Sequence, residues 1–172
     1  MNIALLTAGG VGNRMGQDIP KQFMTIDNIP VIIYTMRAFQ QHPQIDALAV
    51  VCLKGWEVML QAYANQFNIT KLQWIFEGGD SNQHSIRNGL QGLRDAGCKD
   101  DDIVLVHDGV RPMLDPEVIT DVVQMVGRVR AHAVVLLFVD DLRLPLRMQA
   151  PLPQPIDGPP LRGGHQPGGG IV

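Results

Sequence analysis

Apolar positions along the first 140 or so residues follow two periods in turn. Short, largely apolar runs stand at Ile3 to Leu6, Ala47 to Cys52, Leu72 to Phe76, Ile103 to Val106 and Ala133 to Val139. Runs of this length predict strands, and the unbroken ones predict strands covered on both faces. Between them, helical spacing predicts helices over Pro30 to Phe39, Glu57 to Phe67, Gln83 to Ala96, and Asp115 to about Arg130. The first has proline at an early helical position and Ile33, Met36 and Phe39 on one face. The last opens on Asp115-Pro116-Glu117: a capping acceptor, a proline in the first turn and a carboxylate near the positive end of the helix dipole. The order β-loop-α-β-α-β-α-β-α-β predicts an α/β fold, a mostly parallel sheet with helices on both faces. Ligands of such sheets bind beyond the carboxyl ends of the strands. The loops after Leu6, Phe76 and Val106 are therefore the places to look for chemistry.

Composition changes the picture at one end. The last 28 residues hold seven of the 12 prolines and six of the 18 glycines. Proline removes donors and glycine adds chain entropy, so 143–172 reads as an irregular tail beside a folded domain at 1–142. For the whole chain of 172 residues, 45% hydrophobic content excludes general disorder and suits one domain. A net charge of −3 argues against a general nucleic-acid binder. No apolar run approaches the roughly 18 residues of a membrane span, and the start lacks the basic segment of a signal peptide. The expectation is a cytoplasmic protein with no membrane partner, its Cys52 and Cys98 reduced.

The first loop reads Thr7-Ala8-Gly9-Gly10-Val11-Gly12-Asn13-Arg14-Met15-Gly16, followed by Pro20-Lys21-Gln22-Phe23. Glycines let backbone N–H groups approach an anion, and Arg14 and Lys21 add two positive charges. A P-loop fails for want of the Gly-Lys-Ser/Thr ending. A dinucleotide fingerprint has Gly10 and Gly12 in place but its third glycine, Gly16, one position late. That fingerprint also needs a helix to begin at once, which Pro20 opposes. A flexible glycine turn is the plain alternative, and the setting after a first β-strand favours a phosphate site.

The second loop, Glu77-Gly78-Gly79-Asp80-Ser81-Asn82-Gln83-His84-Ser85, precedes a helix. Asp80, Ser81 or Asn82 caps that helix, and for Asp80 and Ser85 capping and ligand contact are both open. His84 reads as exposed and uninvolved. In the third loop, Val106-His107-Asp108-Gly109-Val110-Arg111-Pro112, Asp108 either holds Mg²⁺ against phosphates or pairs with Arg111 to shape the turn. His107 reads as a hydrogen-bonded structural histidine.

Taken together, the first loop, Pro20-Lys21-Gln22-Phe23, Gly78-Gly79, Ser85-Ile86-Arg87-Asn88-Gly89-Leu90 and His107-Asp108-x-x-Arg111-Pro112 resemble the polyol-phosphate cytidylyltransferases. Members of that family act on 2-C-methyl-D-erythritol 4-phosphate or ribitol 5-phosphate. The resemblance covers roughly residues 1 to 135. It implies a Rossmann-like nucleotidyltransferase core that transfers CMP from CTP to a polyol phosphate, with Mg²⁺ as cofactor and pyrophosphate as product. It also implies roles. The loop with Ala8, Gly9, Gly10 and Gly12 contacts the nucleotide, and Arg14 and Lys21 stabilise the transition state. Gly79, Asp80 and Ser85 line the cytidine pocket, and Asp108 faces the metal. Lys54-Gly55-Trp56, Asp100-Asp101-Asp102-Ile103 and Val110 look more like the ribitol phosphate branch.

The chain also departs from the family pattern. Asn82 stands where the family usually carries arginine. After Val139 the family's later acceptor-binding motifs and its homodimer arm have no counterparts. The resemblance therefore implies a C-terminal part truncated or frameshifted after about residue 139. The strand around Val134 to Val139 is then expected to leave an exposed apolar edge that favours self-association.

Overall fold

The computed structural model describes residues 1–10, 19–129 and 134–137. Five strands form one parallel sheet in the order β5–β4–β1–β6–β7. They are β1 (Asn2–Ala8), β4 (Ala47–Cys52), β5 (Leu72–Glu77), β6 (Ile103–Asp108) and β7 (Val134–Leu137). The connecting helices are α1 (Val31–Gln41), α2 (Glu57–Gln66), α3 (Asn82–Asp95) and α4 (Pro116–Val129). All of the described residues fall within a unit spanning Met1–Asp140; the expected tail at 143–172 lies outside them.

Each expected strand is present. Three of them run one or two residues past their apolar stretch, through Thr7-Ala8, Glu77 and His107-Asp108. The ladder needs only backbone groups, so Thr7 still pairs with Asp108 and Cys52 with Glu77. That extension carries polar side chains to the carboxyl edge of the sheet. Ala47–Cys52 is buried at every position, as a strand covered on both faces must be.

Successive residues of the central strands serve two cores. Ala4, Leu6, Leu48, Val50 and Leu105 face one, where Ile32, Ile33, Met36 and Phe39 of α1 pack with Leu60 of α2 and with Ile119, Val122 and Val123 of α4. Fully burying each large side chain stabilises the fold by about 1.5–3 kcal/mol. Ile3, Leu5, Ala49, Val51 and Val106 face the other core, which α3 covers with Ile86, Leu90 and Leu93. α3 comes close because Gly89 lies against the sheet. A Cβ there would stand 2.6 Å from Val51 Cγ2 and 2.8 Å from Leu5 Cδ1.

The helix placement has a consequence for handedness. The β1–α1–β4 and β6–α4–β7 connections cross the sheet in opposite directions, yet α1 and α4 share a face. The β6–α4–β7 crossover therefore has the opposite hand to the other three, against a strong general preference for the right-handed form.

Local chemistry corrects two expectations. Pro30 is not inside α1. Its backbone is extended (φ −57°, ψ 140°) because it pairs with Thr25 in a small antiparallel hairpin, β2 (Thr25–Ile26) and β3 (Ile29–Pro30). Helix α1 starts one residue later. The apolar pattern gives no sign of this hairpin; its two-residue turn puts Asp27 at φ 51° and Asn28 at φ 63°, the left-handed geometry that suits a tight hairpin. At α4 the expected start is realised, since Asp115 Oδ1 accepts from Glu117 N at 2.9 Å.

Candidate active site

A cavity of about 460 Å³ opens over the carboxyl ends of β1, β4, β5 and β6. The first and last of these connect in opposite directions across the sheet, the usual place for a ligand crevice. Thr7 and Ala8 end β1 on its floor, and Gly9 and Gly10 continue its wall. The loop after β5 meets this segment backbone to backbone. A Cβ on Gly78 would lie 3.0 Å from both the Gly9 Cα and the Cys52 carbonyl oxygen. Only glycine lets the two loops touch in this way.

Across from them, Pro20 caps one 3-10 turn, Lys21–Phe23. Its three residues have three tasks. Phe23 is buried and stacks on Trp56 at a centroid distance of 4.7 Å, which anchors the turn in the core. Gln22 is fully buried, and its Nε2 donates to Ala8 O at 2.7 Å and Gly10 O at 3.2 Å. Lys21 remains exposed on the cavity wall and has no ion-pair partner among the described residues.

Geometry decides which residue of the second loop caps the helix. Ser81 is the cap of α3, its Oγ accepting from His84 N at 3.1 Å. Ser85 is buried, and its Oγ accepts from Gly79 N at 3.1 Å, so it holds the glycine turn in shape. Asp80 does not cap and stands exposed at the cavity wall. His84 is exposed, as expected. At the rim, Lys54 Nζ donates to Glu77 Oε1 at 3.0 Å. Glu77 thereby raises the Lys54 pKa, though a pair this exposed adds little stability.

Asp108 makes the pairing with Arg111 that its sequence context allowed. Its Oδ1 accepts from Val110 N at 3.1 Å, and Arg111 Nε lies 3.5 Å from Oδ2. The carboxylate also lines the cavity. Two of its lone-pair sites are thus used by the turn, and an ionised carboxylate has about four. His107 is structural: it is buried, its ring meets Phe39 edge-on, and Nε2 lies 3.0 Å from Arg111 O.

One cavity therefore gathers Ala8, Gly9, Gly10, Lys21, Gly79, Asp80, Ser85 and Asp108. Gly12 and Arg14 lie outside the described residues. Sequence reasoning missed Gln22 and the Lys54–Glu77 pair. A full accounting of the glycine loop's carbonyls would have asked which side chain donates to them, and Gln22 was the polar candidate next to Lys21.

Residues 2–145 match the model of the family described as IspD, 2-C-methyl-D-erythritol 4-phosphate cytidylyltransferase. The chain belongs to this family. It is 47% identical over 123 residues to the ribitol-5-phosphate cytidylyltransferase of Lacticaseibacillus paracasei, which covers 72% of this chain and 52% of that protein. It is 32% identical over 143 residues to the 2-C-methyl-D-erythritol 4-phosphate cytidylyltransferase of Clostridium botulinum type A, covering 83% and 61%. A crystal structure of 4-diphosphocytidyl-2C-methyl-D-erythritol synthase shares the fold, with a TM-score of 0.59 and 24% identity over 73% of this chain and 53% of that one. The chain thus spans about half the length of the first of these relatives. Among the described residues no helix is long and apolar enough to cross a membrane.

Proposed function

We propose that this chain transfers the cytidylyl group of CTP to a polyol phosphate, D-ribitol 5-phosphate before 2-C-methyl-D-erythritol 4-phosphate, with release of pyrophosphate. The supporting observation is the convergence of a glycine backbone, an exposed lysine and a carboxylate on one cavity at the sheet's carboxyl edge. The choice of acceptor rests on the higher identity to a ribitol-5-phosphate enzyme, 47% against 32%. A CTP-dependent reaction of this kind suits a cytoplasmic location.

In this reading a phosphate oxygen of the acceptor attacks the α-phosphorus of CTP. The new P–O bond forms as the bond from the α-phosphorus to the oxygen bridging to the β-phosphate breaks, and the electron pair leaves with pyrophosphate. The protein's part is positioning and charge neutralisation. Ala8, Gly9, Gly10 and Gly12 bind the nucleotide, and Gly79, Asp80 and Ser85 form the cytidine wall. Lys21 and Arg14 meet the negative charge that grows on the phosphate oxygens. Asp108 would hold Mg²⁺. Mg²⁺ in nucleotide sites is commonly held by one or two carboxylates together with the substrate's own phosphates. When bound, the ion supplies positive charge to those phosphates.

The test is pyrophosphate release from CTP and Mg²⁺, with ribitol 5-phosphate and methylerythritol phosphate in parallel. Release with ribitol 5-phosphate is expected. Release with methylerythritol phosphate alone would reassign the acceptor. CTP binding without release would leave a nucleotide-binding domain, and NAD(P) binding without CTP binding would overturn the reading. Lys21→Met should lower kcat by roughly 100-fold, as loss of one transition-state charge contact does, with KM for CTP changed far less.

A further inference from the structure

Among the described residues Gln22 is the fully buried polar side chain that hydrogen-bonds the glycine segment, and the proposed reaction gives it no part. Its geometry is specific. Ala8 O and Gly10 O both accept from the same Nε2, at 2.7 and 3.2 Å. Two carbonyl oxygens require the amide end of the side chain, since only the NH₂ group offers two donors. Its Oε1 is buried with no hydrogen-bond partner, so the side chain is fixed by its amide nitrogen alone. Planarity of the trans peptide does the rest. Fixing Ala8 O turns the Gly9 N–H to the opposite side of the chain, away from Gln22.

The neighbours of Gln22 link this to Lys21. Both stand on the 3-10 turn that Phe23 pins against Trp56. Gln22 thus ties the lysine's turn to the glycine segment across the cavity.

We propose that Gln22 is a positioning residue: it sets the distance between the Lys21 ammonium and the backbone donors of segment 8–10. This rests on the function proposed above, in which those two elements act on the same phosphate chain. Two substitutes of similar size show what the position requires. Methionine has the volume but leaves two carbonyls without donors. Glutamate places a carboxylate against two carbonyl oxygens, and only its protonated form can donate to one of them. Among the described residues the charged groups on the cavity wall are Lys21, Lys54, Glu77, Asp80 and Asp108.

The experiment uses the full chain as parent, Gln22→Met and Gln22→Glu, with folding checked by thermal melting. Steady-state pyrophosphate release is measured against pH, and hydrogen exchange is followed in peptides covering 1–10 and 19–30. For Gln22→Met a fall in kcat of at least tenfold is expected, with KM for CTP changed less than threefold and faster exchange in segment 8–10. For Gln22→Glu the activity relative to parent should rise as pH falls and the carboxyl protonates. With melting followed at each pH, a change in relative activity at unchanged melting temperature separates positioning from a loss of fold. Folded variants with kcat, pH profile and exchange within twofold of parent overturn the proposal. If the parent itself releases no pyrophosphate, the proposed function fails instead, and exchange still decides the positioning: faster exchange in segment 8–10 supports it and unchanged exchange refutes it.

Discussion

Three helical glycines offer a test of how closely α3 is seated on the sheet. At Gly89 a methyl group would lie 2.6 Å from Val51 Cγ2 and 2.8 and 2.9 Å from the two Leu5 methyl carbons. Val51 and Leu5 are themselves fully buried in the central strands, so neither has room to yield. Overpacking of this kind costs about 1–3 kcal/mol. Alanine returns about 1 kcal/mol of helix propensity. Taking the upper half of the packing range, Gly89→Ala should destabilise by about 1–2 kcal/mol. Gly92 is similarly placed, with a Cβ at 2.5 Å from the Phe76 ring. Gly127 in α4 is the control, because nothing lies within 4 Å of its Cβ position. Gly127→Ala should stabilise by about 0.5 kcal/mol, since it stands in the last turn. At roughly 2–4 °C per kcal/mol for a chain of this size, the two variants should melt about 3–10 °C apart. Thermal and urea unfolding followed by circular dichroism would measure it. If Gly89→Ala were as stable as Gly127→Ala, the close seating of α3 would be wrong.

Other outcomes follow from single contacts. Asp115→Ala removes the acceptor for Glu117 N and should lower stability by about 1 kcal/mol, read as a drop of a few degrees in Tm. The Asp102 carboxylate, 5% exposed, is held below its usual pKa chiefly by the hydrogen bond from the N-terminal ammonium of Met1. A depressed folded pKa contributes stability that is complete above about pH 4 and lost as pH falls through the folded value. Asp102→Asn should therefore flatten the acid limb of a stability-against-pH curve; an unchanged limb would count against the pair. Burial pushes the Cys52 thiol up to about 12, so at pH 8 iodoacetamide should label Cys98 well before Cys52, as peptide mass spectrometry would show.

Much of this was legible in the sequence, for identifiable reasons. Asp115-Pro116-Glu117 encodes its helix start locally, and the run from Ala47 to Cys52 encodes burial on both faces. The gathering of three loops followed from the alternation of strands and helices, which sends every loop after a strand to the same edge. Other features depended on distant partners. Asp27-Asn28 lacks the glycine that would announce a tight hairpin, and Pro30 reads as a helix opener until its pairing with Thr25 is seen. Asp80, Ser81 and Asn82 are all good caps, and only the folded geometry shows Ser81 in that role. Gln22 lies 14 residues from Ala8, whose carbonyl it serves. The hand of the β6–α4–β7 crossover has no local signature.

The Phe23–Trp56 stack has an experimental use of its own. The sequence holds two tryptophans, and Trp74 packs in the core beneath α3, on the opposite side of the sheet from Trp56. Trp74→Phe would leave Trp56 as a single emitter, one ring away from the turn that carries Lys21 and Gln22. Any ligand that shifts the turn shifts the π-environment of that indole. The anchor of the turn is thereby its optical gauge, readable in a stopped-flow trace without an attached label.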